Sequence, residues 1–493
     1  MELPDSWAAV KLGDFVENEK GKKPRSESKA ETASHSIPYV DIQAFEESVV
    51  RTWTDGVGCR ICYETDFLMV WDGSRSGLVG KGMNGALGST LVRIYFPSMV
   101  NDYAFYFLQS KYQQINTRAK GVGIPHVDPA LLWNYDFPIP PLNEQHRIVA
   151  KIEELFSELD KGIENLKTAH AQLKVYRQAL LKHAFEGKLT AQWRAENQDK
   201  LETADVLLKR IQQERAQRYQ QQLADWQATG GSKPQAPKPL PQLTAEELAE
   251  LPELPQWWAW ARLLDTCEAV VDCHNKTAPY QSTGIPLIRT PSIRDMKLNF
   301  DEAIRYVSNE TYEFWSRRCQ PLPGDILFTR EAPMGEAALI PEGKMVCMGQ
   351  RIMLLRPGKF LSGKYLLTAT QNPIFKRVAD EMAVGTGVKH LRVGDVERLV
   401  FPLCSLSEQN EIANLLDARL SEVDQLDQTI TTSLQQAEAL RQSILKKAFS
   451  GQLVPQDPHD ESAYDLLARI KVERSEVAAK PRRNISSKLV KAD

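Results

Sequence analysis

No stretch of this chain approaches the ~18 consecutive apolar residues that a membrane-spanning helix needs. The N-terminus, Met1-Glu-Leu-Pro-Asp5, is acidic and has no apolar signal core, so a cytoplasmic location is expected. Neither charge is in excess: 61 Lys+Arg against 64 Asp+Glu leaves a net −3. Any nucleic-acid contact must therefore use local patches or be shared with a more basic partner. The seven cysteines have no regular spacing and fit a reducing compartment. Cys59-Arg-Ile-Cys62 is a lone pair, short of the four ligands of a structural zinc site. The eight histidines form no H-x-x-x-H or H-E-x-x-H cluster, and no G-x-x-x-x-G-K-[ST] phosphate loop exists. Asn372-Pro-Ile-Phe375 is one residue from the Asn-Pro-Pro-Phe of adenine methyltransferases. The glycine-rich cofactor turn and the parallel α/β pattern are missing, so Asn372-Pro373 reads as a turn or helix cap. Asp325 and Glu342-Gly-Lys344 resemble a nuclease metal set only by a stretch; Asp325 reads as part of the strand-entry turn Pro323-Gly-Asp325.

What the chain does have is a long internal repeat. Gly121-Val-Gly-Ile-Pro-His126 returns as Gly385-Thr-Gly-Val-Lys-His390, an offset of 264 (390 − 126). Phe137-Pro-Ile-Pro-Pro-Leu-Asn-Glu-Gln145 returns as Phe401-Pro-Leu-Cys-Ser-Leu-Ser-Glu-Gln409 at the same offset, and so does Leu180…Leu189 as Ile444…Leu453. Upstream, Leu3-Pro4…Trp7-Ala8 matches Leu254-Pro255…Trp258-Ala259 at 251 (258 − 7). Between these anchors the halves hardly agree. Each half is thus a divergent block followed by a kept one. The repeat far exceeds solenoid periods, so a duplicated domain pair is implied.

The kept blocks read as long helices. Ile148, Ile152, Leu155, Leu159, Leu166, Ala169, Leu173, Tyr176 and Leu180 follow alternating steps of four and three, with Gly162 in the one gap. A second seam runs Ile412, Leu416, Val423, Leu426, Ile430, Ala437, Leu440 and Ile444, interrupted at Arg419 and Ser433. Two narrow, sustained seams favour helices that pair with each other over helices that pack separately. Each is followed by a short amphipathic helix, around Leu207 and Leu466. In the first copy the polar run 218–222 leads into a Pro/Gly-rich linker at 230–241, then a capped helix at Thr244-Ala-Glu-Glu-Leu248. The second fades into a basic tail, Lys480-Pro-Arg-Arg483 and Lys488…Lys491.

The divergent blocks read as α+β modules. Strand-like runs at 37–41, 66–72 and 90–96 precede a helix at 102–110; runs at 285–289, 324–329 and 350–356 precede one at 364–371. Polar loops follow matching strands: Asp72, Ser74 and Arg75 in the first block, Arg330 and Glu331 in the second. Glycine-rich loops precede the final strands, with Lys120, Gly121, Gly123 and His126 in one and Gly385, Thr386, Gly387, Lys389 and His390 in the other. Glycine lets a backbone approach phosphate closely, and Arg or Lys at a loop tip suits a guanine edge. These residues, with Lys81, are the candidate DNA contacts; the plainer reading is ordinary turns whose polar side chains face solvent.

With repeat, helices and loops assembled, the chain resembles a type I restriction-modification specificity subunit. The resemblance rests on Phe137-Pro-Ile-Pro-Pro-Leu-Asn-Glu-Gln145 and Lys182-His-Ala-Phe-Glu-Gly187, on Phe401-Pro-Leu…Glu408-Gln409 and Lys446-Lys-Ala-Phe-Ser-Gly451, and on Pro323-Gly-Asp-Ile-Leu327. It implies target recognition domains at 1–142 and 254–406, spacer helices at 143–187 and 407–451 pairing antiparallel, a trailing helix and Pro-rich linker at 188–253, and a trailing helix and basic tail at 452–493. It also implies that each recognition domain reads one half of a bipartite, asymmetric DNA site. The helices would set the gap and dock two methylation subunits, with restriction/translocase subunits joining. The chain itself would be non-catalytic and hold no cofactor; S-adenosylmethionine, ATP and Mg2+ belong to the partners. A stand-alone methyltransferase would need the missing cofactor motifs, and a coiled-coil scaffold without a DNA role would not need two unlike loop-rich modules.

Overall fold

The computed structural model describes residues 3–479 apart from 98, 122, 231–232, 238, 275 and 302–303. The basic tail expected at 480–493 lies outside the described residues, as do Val122 of the first glycine loop and Gly231, Ser232 and Lys238 of the linker. The chain forms two compact units: Met1–Lys167 with Thr431–Asp493, and Thr168–Ile430. The divisions fall inside the long helices, so each unit holds a part of both.

In unit 1, Phe67–Val70 is apolar at every position and buried throughout. It therefore takes a central place in an antiparallel sheet ordered Glu17–Lys20, Leu91–Tyr95, Phe67–Val70, Val79–Lys81. Glu17–Lys20 is charged at three of its four positions, as suits an edge. A five-stranded mixed sheet packs beside it, with Ile37–Val40 parallel to Gly85–Leu87 in the register Tyr39↔Ala86. Helix Asn101–Thr117 buries Tyr103, Phe105, Tyr106 and Phe107, and the Tyr103 hydroxyl donates to the Pro138 carbonyl at 2.9 Å. Ala8–Lys11 and Asp136–Ile139 close a two-stranded ribbon at the start of the first long helix.

Unit 2 repeats the plan. Its four-stranded antiparallel sheet is ordered Cys267–Asp272, Ile352–Pro357, Ile326–Thr329, Ala337–Leu339. Ile285–Ile288 runs parallel to Cys347–Met348, Ala259–Arg262 pairs with Val400–Leu403, and the Tyr365 hydroxyl donates to the Pro402 carbonyl at 2.7 Å. Asn372 accepts from the Ile374 N–H at 3.1 Å and caps helix Pro373–Met382, so the Asn-Pro pair is a helix start.

The long helices span Leu142–Phe185 and Leu406–Ala448. In unit 2 they run in opposite directions, for His170 meets Asp427 at 3.0 Å while Arg177, seven residues onward, meets Asp424, three residues back. In unit 1, Arg441 pairs with Asp160 and lies over the Phe156 ring at 4.5 Å. The heptad reading needs correction away from the helix ends. Tyr176, Leu426 and Leu440 are about half exposed, at 49, 53 and 51 %. Gly162 is exposed beside half-buried Ile163, and exposed Arg419 beside buried Leu420. Arg177, Asp427 and Arg441 take the inward positions instead. A straight helix drifts about 20° per heptad against a 3.5-residue repeat, which moves the inward position on by one residue.

A second correction concerns the first trailing helix, which is Ala204–Thr229 and not short. It carries straight through the polar run 218–222, whose Gln and Arg residues are good helix formers, and ends where Gly230 adopts φ +77. Arg215 anchors it by donating to the carbonyls of Leu264 and Cys267 at 2.6 and 2.8 Å. Thr244 and Glu247 form the expected capping box, and Glu247 also accepts both Nη2 contacts of buried Arg262. Both units close in one way: the Ala204 N–H donates to the Trp257 carbonyl, and the Ala463 N–H to that of Ser6, each at 3.0 Å.

Candidate nucleic-acid interface

In unit 1 the glycine-rich loop is a closed hairpin. The Lys120 N–H donates to the His126 carbonyl at 2.9 Å and the His126 N–H returns to Lys120 at 2.8 Å. Gly121 has φ +114, and a Cβ there would lie 2.4 Å from the Ile124 carbonyl oxygen. The hairpin is stitched to the loop that leaves Phe67–Val70: the Val127 N–H donates to Trp71 at 2.9 Å, and the Gly73 N–H to Pro125 at 2.7 Å.

Unit 2 builds the same object. Val384 and His390 exchange two backbone bonds at 2.9 Å, and the Leu391 N–H donates to Arg330 at 3.1 Å. Gly385 has φ +113 and would place a Cβ 2.5 Å from the Val388 carbonyl oxygen. Asp72 bridges His126 and Glu331 bridges His390 along their backbones. Each unit thus brings its strand-end loop and its glycine hairpin together on a fixed frame.

The nominated side chains differ in how free they are. Ser74, Gly121, Gly123, His126, Gly385, Thr386, Gly387 and Lys389 are exposed, and His390 is half-buried. Asp72 pairs with Lys20 at 2.7 Å and Arg75 with Glu46 at 2.8 Å. Lys120 pairs with Asp128 at 2.8 Å, and its hydrogen bond holds that carboxyl below the usual range. Glu331 meets Arg351 at 3.4 Å. Arg330 turns inward, its Nη1 donating to the Leu391 carbonyl at 3.0 Å, so it holds the hairpin in place. Lys81 stands apart: it sits opposite Phe67, at the far end of that strand from Asp72, paired with Asp102 and 5.0 Å from the Phe105 ring centroid. The sequence reading passed over a cavity of about 240 Å³ in unit 2 that shares Arg351 and is lined by Thr277, Arg289 and Gln350. The only sequence signal for it was the polar pair Gln350-Arg351 ahead of an apolar strand.

The metal-like fragments resolve as structure. Asp325 is buried and takes Arg356 in a two-pronged bond at 2.8 and 2.7 Å. Burial pushes the Cys62 thiol up to about 11, which keeps it protonated at neutral pH. Among the described residues no group of three or more His, Cys, Asp or Glu is arranged to hold a metal ion, and no helix is long and apolar enough to cross a membrane.

Residues 4–168 and 261–436 match the type I restriction modification DNA specificity domain, covering more than half of the chain. The chain belongs to this family. Among curated specificity-domain relatives, the type I restriction enzyme MjaVIII specificity subunit of Methanocaldococcus jannaschii is 22% identical over 466 residues, 92% of this chain and 94% of that protein. The EcoBI specificity subunit of Escherichia coli is 22% identical over 491 residues, 96% of this chain and 94% of that one. A structure solved to explain complex assembly and conformational transition of the type I R-M system superposes with a TM-score of 0.63 at 19% identity, covering 92% of this chain and 100% of that one. That likeness is one of fold. The two matched segments of the specificity-domain family each contain one strand-end loop and one glycine hairpin.

Proposed function

We propose that this chain is the DNA sequence-specificity subunit of a type I restriction-modification complex. Each unit reads one half of a bipartite, asymmetric site, and the long helices set the gap and dock the methylation subunits. One observation carries the reading. The same frame is built twice, yet the side chains it presents differ: Asp72, Ser74 and Arg75 in one unit, Glu331, Thr386 and Lys389 in the other. A constant frame with changed polar side chains is what two readers of unlike half-sites require, because frame contacts position and side-chain contacts specify. Within that reading the exposed loop and hairpin side chains meet the DNA, and Arg330 and Lys81 take supporting places. In this proposal the chain is non-catalytic and works in the cytoplasm. Two methylation subunits carry S-adenosylmethionine, and restriction/translocase subunits use ATP and Mg2+. Base flipping for methylation is the partners' work.

The test is to co-express the chain with its neighbouring methylation subunit and map N6-methyladenine across the host genome. One split motif, methylated on opposite strands in its two halves, is expected. A soluble complex that methylates no split motif would overturn the reading.

A further inference from the structure

The two glycine hairpins share a feature that a sequence reader has no use for. Ile124 is 69% exposed and Val388 is 55% exposed. They occupy the same place, 264 residues apart (388 − 124). Gly121 and Gly385 leave room for the carbonyl of this residue to fold back against the hairpin base. With the carbonyl turned in, the side chain is turned out, and in both units an aliphatic β-branched group stands at the tip.

Apart from the glycines and the closing histidine, the surroundings do not keep to this pattern. The next residue is Pro125 in one hairpin and Lys389 in the other, and the strand-end loops beside them differ throughout. A residue that reads bases should change when the half-site changes. A residue whose character stays the same in both units acts on what both half-sites have in common, the stacked duplex. The flanking Gly123 and Gly387 have nothing within 4 Å of an added Cβ, so the tip is slender enough to enter a groove. Apolar side chains delivered from a rigid element into a groove part neighbouring base pairs and kink the helix.

We propose that Ile124 and Val388 are matched wedges, each entering the minor groove of its own half-site and opening one base step without reading its sequence. The inference rests on the DNA-specificity reading above. The wedge precedes the partners' chemistry: a step already unstacked lowers the work of extracting a nearby adenine.

The test uses the full complex with methylation subunits and a cognate duplex carrying 2-aminopurine, in turn, at each non-methylated position of each half-site. The wild-type complex should raise fluorescence at one such position per half-site. Ile124→Ser should abolish the rise in the first unit's half-site and slow methylation there, leaving the other half-site and the motif unchanged. Val388→Ser should do the reverse, and Ile124→Leu should restore the signal. Both side chains are exposed, so these variants keep the fold. Unchanged fluorescence and methylation in both serine variants would overturn the wedge. So would a changed motif with relaxed preference at a thymine, which would make the side chain a reader of the thymine methyl group. Failure of the parent reading is separate and visible first: the wild-type complex would then methylate no split motif.

Discussion

The indole N–H of Trp7 donates to Glu144 Oε2 at 3.0 Å, and the indole N–H of Trp258 donates to Glu408 Oε2 at 2.9 Å. These duplicated contacts tie the start of each divergent block to the first turn of a long helix. They are not equal. Glu408 also accepts from Thr190 at 2.8 Å and from Arg194 at 2.9 Å. The positions 264 residues later hold Val454 and Pro458, which bring no donor to Glu144. Burial raises the Glu144 carboxyl pKa above its ordinary value, and the Trp7 indole, with smaller help from Arg147 and the Gln456 side chain, offsets this only in part.

A raised carboxyl pKa means that ionised Glu144 costs stability. That cost is full above the folded pKa and vanishes below the unfolded one, near pH 4. Glu144→Gln, which keeps an acceptor for Trp7, is expected to leave stability unchanged or improve it at pH 8 and to lose any advantage by about pH 4. Glu408→Gln strands Arg194 and should cost about 3 kcal/mol near neutral pH. Thermal unfolding of both variants at two pH values checks this; equal losses would contradict it.

The buried hydroxyls of Tyr103 and Tyr365 each satisfy a proline carbonyl, Pro138 and Pro402. Replacing either tyrosine by phenylalanine should cost about 1 kcal/mol, since each leaves one buried acceptor unmatched. Denaturant midpoints measure the loss. The methylated motif should stay the same, because both hydroxyls lie in the cores.

Gly121→Ala and Gly385→Ala each force a side chain into positive φ and against a backbone oxygen at 2.4 or 2.5 Å. A strain of about 1–3 kcal/mol falls on one hairpin, so each variant should weaken recognition of one half-site only. Gly123→Ala and Gly387→Ala meet open space and should be tolerated. Gel-shift titration against duplexes mutated in one half-site separates the four; equal effects of all of them would show that hairpin shape does not matter.

Exchanging residues 1–140 for the corresponding block of a relative should change one half of the methylated motif and preserve the other. Methylation mapping of the chimaera reads this directly. A change in both halves, or in neither, would break the modular account.

Much of the fold was legible because duplication supplied its own check. Apolar runs such as Phe67–Val70 and Ile326–Thr329 announce central strands, and the four–three spacing announces the long helices. The seam residues in the helix middles were less legible. Sequence favours Tyr176, Leu426 and Leu440, but helical drift turns Arg177, Asp427 and Arg441 inward, where they form cross-helix polar contacts. The hairpins were visible as glycine motifs. Their stitching to Trp71 and Arg330 was not, because backbone bonds between segments some 55 to 60 residues apart leave no trace in side-chain type. The Trp–Glu ties had a signal that went unused: both members sit in repeated anchors, at 7 and 258 and at 144 and 408.

The core of unit 2 draws on residues between Leu180 and Leu420 alone, whereas the core of unit 1 joins Trp7 through Phe156 to Ile444 through Ile470. During synthesis on the ribosome the first block therefore emerges early and must wait. Phe449, which packs edge-on against Tyr103 and Phe107 at 5.2 and 5.3 Å, is made more than three hundred residues after them. Through that interval the aromatic surface it covers is bare to solvent, a period when nascent chains aggregate or recruit chaperones. The second-encoded unit can finish folding first, and a ribosome that stalls after it leaves a chain with one complete unit and one unfinished core.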